Sequence, residues 1–434
     1  MNYYNLKDKE EQVNFKTAST KGQGKNKGLF FPETIPQFDE DFIRDLNRFS
    51  DEEIAFRCMK DFVDEEIPEM ELRKMISETI SFEIPLKKIN DKISVLELFH
   101  GPTLAFKDIG ARFMSLCLSY FLKDDDKKVT VLVATSGDTG GAVAGGFYKV
   151  PGIDVIILYP KGRVSIVQEK QLTALGENIT ALEVDGSFDD CQNLVKQAFS
   201  DEEINSRIFL TSANSINIAR WLPQQIYYLL ALKKWQKAEK GDPVICVPSG
   251  NFGNICAGIL AHFRGMKVDH FIAACNANDV VPYYLKTKIL EPKETVATLS
   301  NAMDVGNPSN FVRILELFQD QFENLKNSIS GYSVNDEDTL ETIRKVYEQY
   351  TYILEPHGAV AYSALENYLE EHPDKKGFIL ETAHPVKFPD SVEKAIGEKI
   401  KIPASLKELM NKDKKTVEIN SDFEELKRFL LNKN

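Results

Sequence analysis

Along roughly the first 90 positions, polar turns alternate with apolar residues at helical spacing. Asp39 to Phe49 and Ser50 to Val63 each open on a residue suited to cap a helix, the second with a strongly acidic first turn. This stretch predicts an accessory segment of short helices. From Ile93 the period changes. Short runs of β-branched and aliphatic residues are each followed by a glycine-containing turn and an amphipathic stretch, which predicts strand-loop-helix units and a mainly parallel sheet. Four units stand out. Val129 to Ala134 runs into Thr135-Ser136-Gly137-Asp138-Thr139-Gly140-Gly141, and Asp154 to Tyr159 into Pro160-Lys161-Gly162-Arg163. Pro243 to Val247 opens onto Pro248-Ser249-Gly250-Asn251-Phe252-Gly253-Asn254, and Gly377 to Leu380 ends at Glu381-Thr382-Ala383-His384-Pro385. Ligands of open α/β sheets bind at the carboxyl ends of the strands, and these loops fall at such ends. Leu222 to Ala238 reads as one long helix. The charged runs 124–128 and 370–376 read as solvated loops before strands, and the tail after Pro403 as charged and helical.

Composition narrows the class. With 434 residues, 43% hydrophobic and 27% charged, the chain can bury more than one core. A formal net charge of -13 argues against a nucleic-acid backbone as partner and leaves any anionic substrate to local donors. The first 27 residues are polar and lysine-rich, without the apolar run of a secretory signal or membrane anchor, and the apolar runs elsewhere are shorter than a membrane span. Six cysteines scattered through apolar segments without C-x-x-C spacing predict reduced, buried thiols, and the six histidines show no metal-ligand spacing. A cytoplasmic protein without a metal is the expectation.

Two motifs carry the chemistry. Lys107, in Gly101-Pro102-Thr103-Leu104-Ala105-Phe106-Lys107-Asp108, stands at the start of a helical pattern, where the helix dipole and a nearby core favour the neutral amine. Alone, such a lysine is more often a snorkelling surface residue. The Gly250 to Asn254 turn joins a strand to a helix, so its backbone N–H groups can converge on a dianion; alone, it is as often an ordinary tight turn. Together, an amine able to form a Schiff base and a phosphate-sized cup point to pyridoxal phosphate. Thr382 could offer a hydroxyl to the cofactor's pyridine nitrogen, against a core or capping role. Thr135, Ser136, Asp138 and Thr139 could hold a substrate carboxylate, against an ordinary turn. Asn217 and Arg220 share a helix face and, with Ser215 and Lys161, could hold a phosphate, against helix capping and a solvated basic turn.

These segments, in this order, resemble the threonine synthase family, pyridoxal-phosphate enzymes of the tryptophan synthase β fold. The likeness runs from Gly28-Leu29-Phe30-Phe31-Pro32-Glu33 through Phe99 to Asp108, Ala134 to Gly140, Tyr159 to Gly162, Ser212 to Arg220, Val247 to Asn254, Ser300 to Val305 and Thr382 to Pro385. It implies fold type II: two open, mainly parallel twisted sheets flanked by helices, with an N-terminal accessory domain over residues 1–90. A large cofactor domain is expected over 91–115 and 236–400, a small α/β domain over 116–235 and a helical tail over 401–434. By the resemblance Lys107 is the Schiff-base lysine, Gly250, Asn251, Phe252, Gly253 and Asn254 hold the cofactor phosphate, and Thr382 meets the pyridine nitrogen. Asp138 departs from the asparagine that many relatives carry there. The implied reaction converts O-phospho-L-homoserine and water to L-threonine and phosphate, in a monomer or weak homodimer. A phospho-lyase of the same fold giving 2-oxobutyrate, or a non-enzymatic α/β module binding a phosphorylated metabolite, remain alternatives.

Overall fold

The computed structural model describes residues 1–123 and 128–433, so most of the expected solvated loop over 124–128 lies outside the described residues. The chain packs as two compact units, one of residues 1–2, 31–106 and 221–400, the other of 3–30, 107–220 and 401–434. The segment expected as a separate N-terminal domain is thus shared between them, and the tail belongs to the second.

In the larger unit a six-stranded sheet runs Ile329–Ser333, His270–Cys275, Val244–Pro248, Gly377–Glu381, Ile93–Glu97, Leu86–Lys88, parallel throughout except at the last pair. Its central strands are apolar on both faces, as a sheet covered by helices requires. Pro356–Glu371 and Asp336–Tyr350 pack against it through Val360, Leu365, Ile343 and Val346, all buried with Val244, Ile272 and Ile379. Of the expected helices, Asp39 caps Glu40–Arg44, with Phe42 N–H donating to its carboxylate at 3.1 Å, and Ser50 caps Asp51–Val63. The expected long helix is Gln225–Ala238, preceded by a 3-10 turn at Leu222–Gln224 where Pro223 falls.

This unit also carries an acid sensitivity. His270 stacks on Tyr368 with ring centroids 5.1 Å apart and bonds Ser330 Oγ at 2.8 Å, and burial pushes its pKa from an ordinary 6.5 down to about 4. Burial lowers His384 likewise to about 4. Below pH 6.5 the unfolded chain therefore takes up protons that the folded chain refuses until about pH 4, so stability falls as pH drops through that window. Urea melts at pH 7 and pH 5 should show the loss, and His270→Gln should recover on the order of 1 kcal/mol of it. Equal losses in both proteins would refute the assignment.

The smaller unit is an all-parallel five-stranded sheet, Val417–Asn420, Ile179–Asp185, Ile153–Pro160, Val129–Ala134, Phe209–Thr211. The tail, expected to be helical, supplies an edge strand as well as helices Ala404–Met410 and Phe423–Lys433. Near the N-terminus, Phe15–Lys21 forms a helix whose Phe15 is fully buried, 6.1 Å from the Phe121 ring. All six cysteines are free and buried, and no helix among the described residues is long and apolar enough to cross a membrane.

Candidate active site

The loop ahead of Lys107 is anchored to the end of a central strand. Ala105 bridges Ala383, Phe106 N–H donates to the Thr382 carbonyl at 2.9 Å, and His384 N–H to the Leu104 carbonyl at 3.1 Å. Leu104 sits at φ 57, a left-handed conformation that a β-carbon makes costly. Two side chains hold it there: the Tyr227 hydroxyl donates to the Phe106 carbonyl at 2.5 Å, and the wholly buried Lys387 ammonium to the Thr103 carbonyl at 2.9 Å. Lys107 follows by one peptide bond and is the first residue of helix Lys107–Leu122, as the sequence predicts; its side chain is half-buried. Neither Tyr227 nor Lys387 was legible as a site residue, because each acts on backbone groups distant in sequence.

The glycine turn leads from Val244–Pro248 into helix Gly253–Phe263. Phe252 adopts φ 61 just before the helix and packs edge-on against Phe311, 5.6 Å between centroids. That left-handed residue bends the chain so that the helix's first N–H groups face out of the turn. Asn251 is spent on the protein itself: its side-chain oxygen accepts from Ser309 N–H at 2.6 Å and its carbonyl from Asn310 N–H at 3.2 Å. Asn254 differs. The Tyr228 hydroxyl holds its Oδ1 at 2.7 Å, while its buried Nδ2 has no hydrogen-bond partner among the described residues. An orphaned donor at a helix N-terminus fits an anion such as a phosphate. Gly250 is glycine for a reason the sequence did not give: a β-carbon there would lie 2.5 Å from Met303 Cα. The Asn301–Met303 turn it packs on is fixed by Asp304, which accepts from Thr298 N–H at 3.0 Å, Thr298 Oγ1 at 2.7 Å and Asn276 Nδ2 at 2.9 Å.

Thr382 is buried, and its hydroxyl donates to Glu355 Oε1 at 3.1 Å. Behind it lie three buried glutamates that sequence reasoning missed: Glu97 and Glu381, register partners on adjacent strands, and Glu355, which caps helix Pro356–Glu371. Glu97 is satisfied by Lys87 Nζ at 2.9 Å, His100 Nε2 at 2.7 Å and the Tyr352 hydroxyl at 3.0 Å. Burial first, and then the charge on Glu355, push the Glu381 carboxyl well above the usual carboxylate range. A β-carbon on Gly358 would fall 1.5 Å from Glu381 Oε2, so even alanine is excluded there without moving that carboxyl.

In the smaller unit, the Thr135 hydroxyl accepts from Gly137 N–H at 2.9 Å and Gly140 N–H at 2.8 Å, so this side chain shapes its own loop. Asp138 accepts from Gln168 Nε2 at 3.0 Å, whereas Ser136 and Thr139 are half-buried at the start of helix Asp138–Phe147. Asn217 is fully buried; its Nδ2 donates to the Ser19 carbonyl at 2.8 Å and its Oδ1 accepts from Ala219 N–H at 2.9 Å. Arg220 is buried too, with Nη1 on the Ala213 carbonyl, while Ser215 is half-buried. Lys161 is exposed and paired with Glu418 at 2.7 Å, on the tail strand.

Family models match nearly the whole chain: pyridoxal-phosphate dependent enzyme over residues 48–380, threonine synthase N terminus over 2–80 and threonine synthase C-terminal over 358–430. Threonine synthase of Escherichia coli (strain K12) is 45% identical over 433 residues, covering 100% of both chains. The crystal structure of threonine synthase from Escherichia coli matches with a TM-score of 0.93 at 44% identity over 100% of each chain. That of the pyridoxal-phosphate-bound threonine synthase from Brucella melitensis matches with 0.91 at 33% identity, over 100% of this chain and 99% of the other. The fold is therefore that of a fold type II enzyme, and the chain belongs to the threonine synthase family of pyridoxal-phosphate-dependent enzymes.

Proposed function

We propose that the reaction of this family, O-phospho-L-homoserine and water giving L-threonine and phosphate by γ-elimination and β-addition, is carried here by Lys107 together with the turn Gly250 to Asn254 and Thr382. The observation that carries the assignment is the orphaned Asn254 Nδ2 at the N-terminus of Gly253–Phe263, a donor set that suits the cofactor phosphate. In that turn Gly250 allows the close packing that fixes the cup, Phe252 sets its bend, Asn251 ties it to Asn310, and Gly253 and Asn254 present donors. Pyridoxal phosphate, when bound, supplies a conjugated ring that delocalises the electrons left when a proton leaves the substrate's α carbon.

The rest falls to the protein. The Lys107 amine removes the α proton and returns a proton later, a role that requires the neutral amine beside the substrate. Ser136 and Thr139, with the N-terminus of Asp138–Phe147, hold the substrate carboxylate, while Thr135 and Asp138 fix that loop through Gly137, Gly140 and Gln168. Ser215, Arg220 and Lys161 take the substrate phosphate and stabilise the charge that grows as it departs; Asn217 holds their segment. The residues over 91–115 and 236–400 would serve the cofactor and those over 116–235 the substrate. The enzyme would work in the cytoplasm as a monomer or weak homodimer without nucleic acid or membrane as partner, in keeping with its net charge of -13.

Lys161 offers a signed test, because Glu418 competes for it. Lys161→Ala should raise KM about 10-fold, the loss of one charge-assisted hydrogen bond, whereas Glu418→Gln should lower KM. Unchanged KM in both would remove Lys161 from the site. The reaction itself is tested by incubating the holoenzyme with O-phosphohomoserine and following phosphate and organic products together. Equimolar phosphate and threonine supports the assignment; 2-oxobutyrate would make it a phospho-lyase, and no phosphate release would leave only binding.

A further inference from the structure

The carbonyl of Asn251, inside the glycine turn, is held twice by one residue. Asn310 donates to it from its backbone N–H at 3.2 Å and from Nδ2 at 3.1 Å. Asn310 is itself fully buried, and its Oδ1 accepts from Arg313 Nη1 at 2.7 Å, the short length of a charge-assisted bond. A guanidinium can only donate, so this contact fixes which way round the amide stands and leaves Nδ2 for the turn. Arg313 lies in helix Phe311–Leu317 and is wholly buried, its guanidinium 4.3 Å from the centre of the Trp221 ring. Burial pushes its pKa down to about 10, which leaves it charged at neutral pH. Cys256, on helix Gly253–Phe263, lies within reach of that charge and is itself neutral, because burial pushes its thiol up to about 12.

These bonds all run in one direction. The guanidinium polarises the Asn310 amide, the amide polarises the Asn251 carbonyl, and that carbonyl shares a peptide plane with the Phe252 N–H. The peptide is trans, so this N–H points away from Asn310 and leaves the turn on the opposite side. Each link makes the next donor more positive. The run Gly250-Asn251-Phe252-Gly253-Asn254 has no cationic side chain of its own, so positive character reaches a dianion there through the backbone and the helix dipole. A buried guanidinium is costly to keep, and packing on Trp221 alone would be met as well by an apolar side chain. Resting on the reading that this turn holds the cofactor phosphate, we propose that Arg313 is a positioning residue that acts through Asn310 to polarise the Asn251–Phe252 peptide, so that a buried positive charge backs the phosphate from inside the core.

The test titrates apoprotein with pyridoxal phosphate and with pyridoxal, which lacks the phosphate, and records the phosphorus-31 signal of each holoenzyme at pH 7. The wild-type signal should stand at the position of a phosphate dianion; a monoanion position there overturns the proposal outright. Arg313→Gln keeps a donor for Asn310 without the charge. It should bind pyridoxal phosphate about 10-fold more weakly, bind pyridoxal as wild type does, and move the phosphorus signal toward the monoanion position. Arg313→Lys, which keeps the charge, should recover most of the affinity and the wild-type signal. Asn310→Ala, which leaves the charge but breaks the link to the turn, should move both readouts as Arg313→Gln does, and it decides if Arg313→Gln fails to fold. Equal losses in Arg313→Lys and Arg313→Gln, or a phosphorus signal that stays in place in Arg313→Gln and Asn310→Ala, overturn the relay. Asn254→Ala tells its failure from that of the turn. If that variant matches wild type in affinity and signal, the turn does not hold the phosphate and the proposal falls with it; if it changes both while Arg313→Gln changes neither, the relay alone falls.

Discussion

Lys107→Ala protein should release phosphate from O-phosphohomoserine at least about 10³-fold more slowly than wild type, make no detectable threonine, and fold normally. In the proposed reaction this substitution removes the group that holds the cofactor and moves the α proton, and the rate loss follows from both. Normal folding is expected because the side chain is half-buried and alanine is the best helix former for the first turn of Lys107–Leu122. The loop ahead of it is held by Tyr227 on the Phe106 carbonyl, by Lys387 on the Thr103 carbonyl and by the end of Gly377–Glu381. Circular dichroism and thermal melting would confirm the fold, and loss of the visible absorption of bound cofactor would accompany the loss of rate. Undiminished phosphate release would refute the mechanism.

Gly250→Ala should weaken cofactor binding by about 10- to 100-fold. The new methyl would meet Met303 Cα at 2.5 Å, Met303 C at 3.1 Å and the Ala302 carbonyl oxygen at 3.2 Å, all backbone atoms that cannot swing aside as a side chain would. Nor can the turn retreat as a whole, since Ala302 N–H is held by His357 and Asp304 by Thr298 and Asn276. Overpacking of this kind costs about 1–3 kcal/mol, and it falls on the turn proposed to hold the cofactor phosphate. Titration of apoprotein with pyridoxal phosphate would measure it. The contrast is Gly358→Ala, whose methyl would strike a carboxyl deep behind Thr382; it should lower the melting temperature more than it alters the phosphate cup. Equal cofactor affinity in Gly250→Ala and wild type would mean the cup does not depend on that packing.

Much of the architecture was legible because the strands that bracket the loops are short, apolar on both faces and followed by glycine. Val129–Ala134, Val244–Pro248 and Gly377–Glu381 lie within a residue of where the hydrophobic runs place them. Strands such as Ile329–Ser333, which is half-buried, and the three-residue Phe209–Thr211 carry no such run. The site divides the same way. Lys107, Gly250 and Thr382 stand at strand and helix ends, where local sequence announces a special backbone. Glu355, Glu381 and His357 do not, because a lone glutamate reads as a solvated charge until the fold encloses it, and their importance rests on partners from Thr382 to Ala302. The spacing of Asn217 and Arg220 suggests a shared ligand; the bond from the Asn217 amide to the Ser19 carbonyl at 2.8 Å was not legible, because Ser19 stands far earlier in the chain.

The tail strand Val417–Asn420 runs beside Ile179–Asp185 at the margin of the smaller sheet. Cutting the chain near residue 400 would bare a row of unpaired amides and carbonyls along residues 182–185, the kind of surface on which like molecules stack. Shortened versions made for crystallisation or fusion should therefore self-associate, and a trimmed carboxyl end would be the first suspect if preparations turn cloudy.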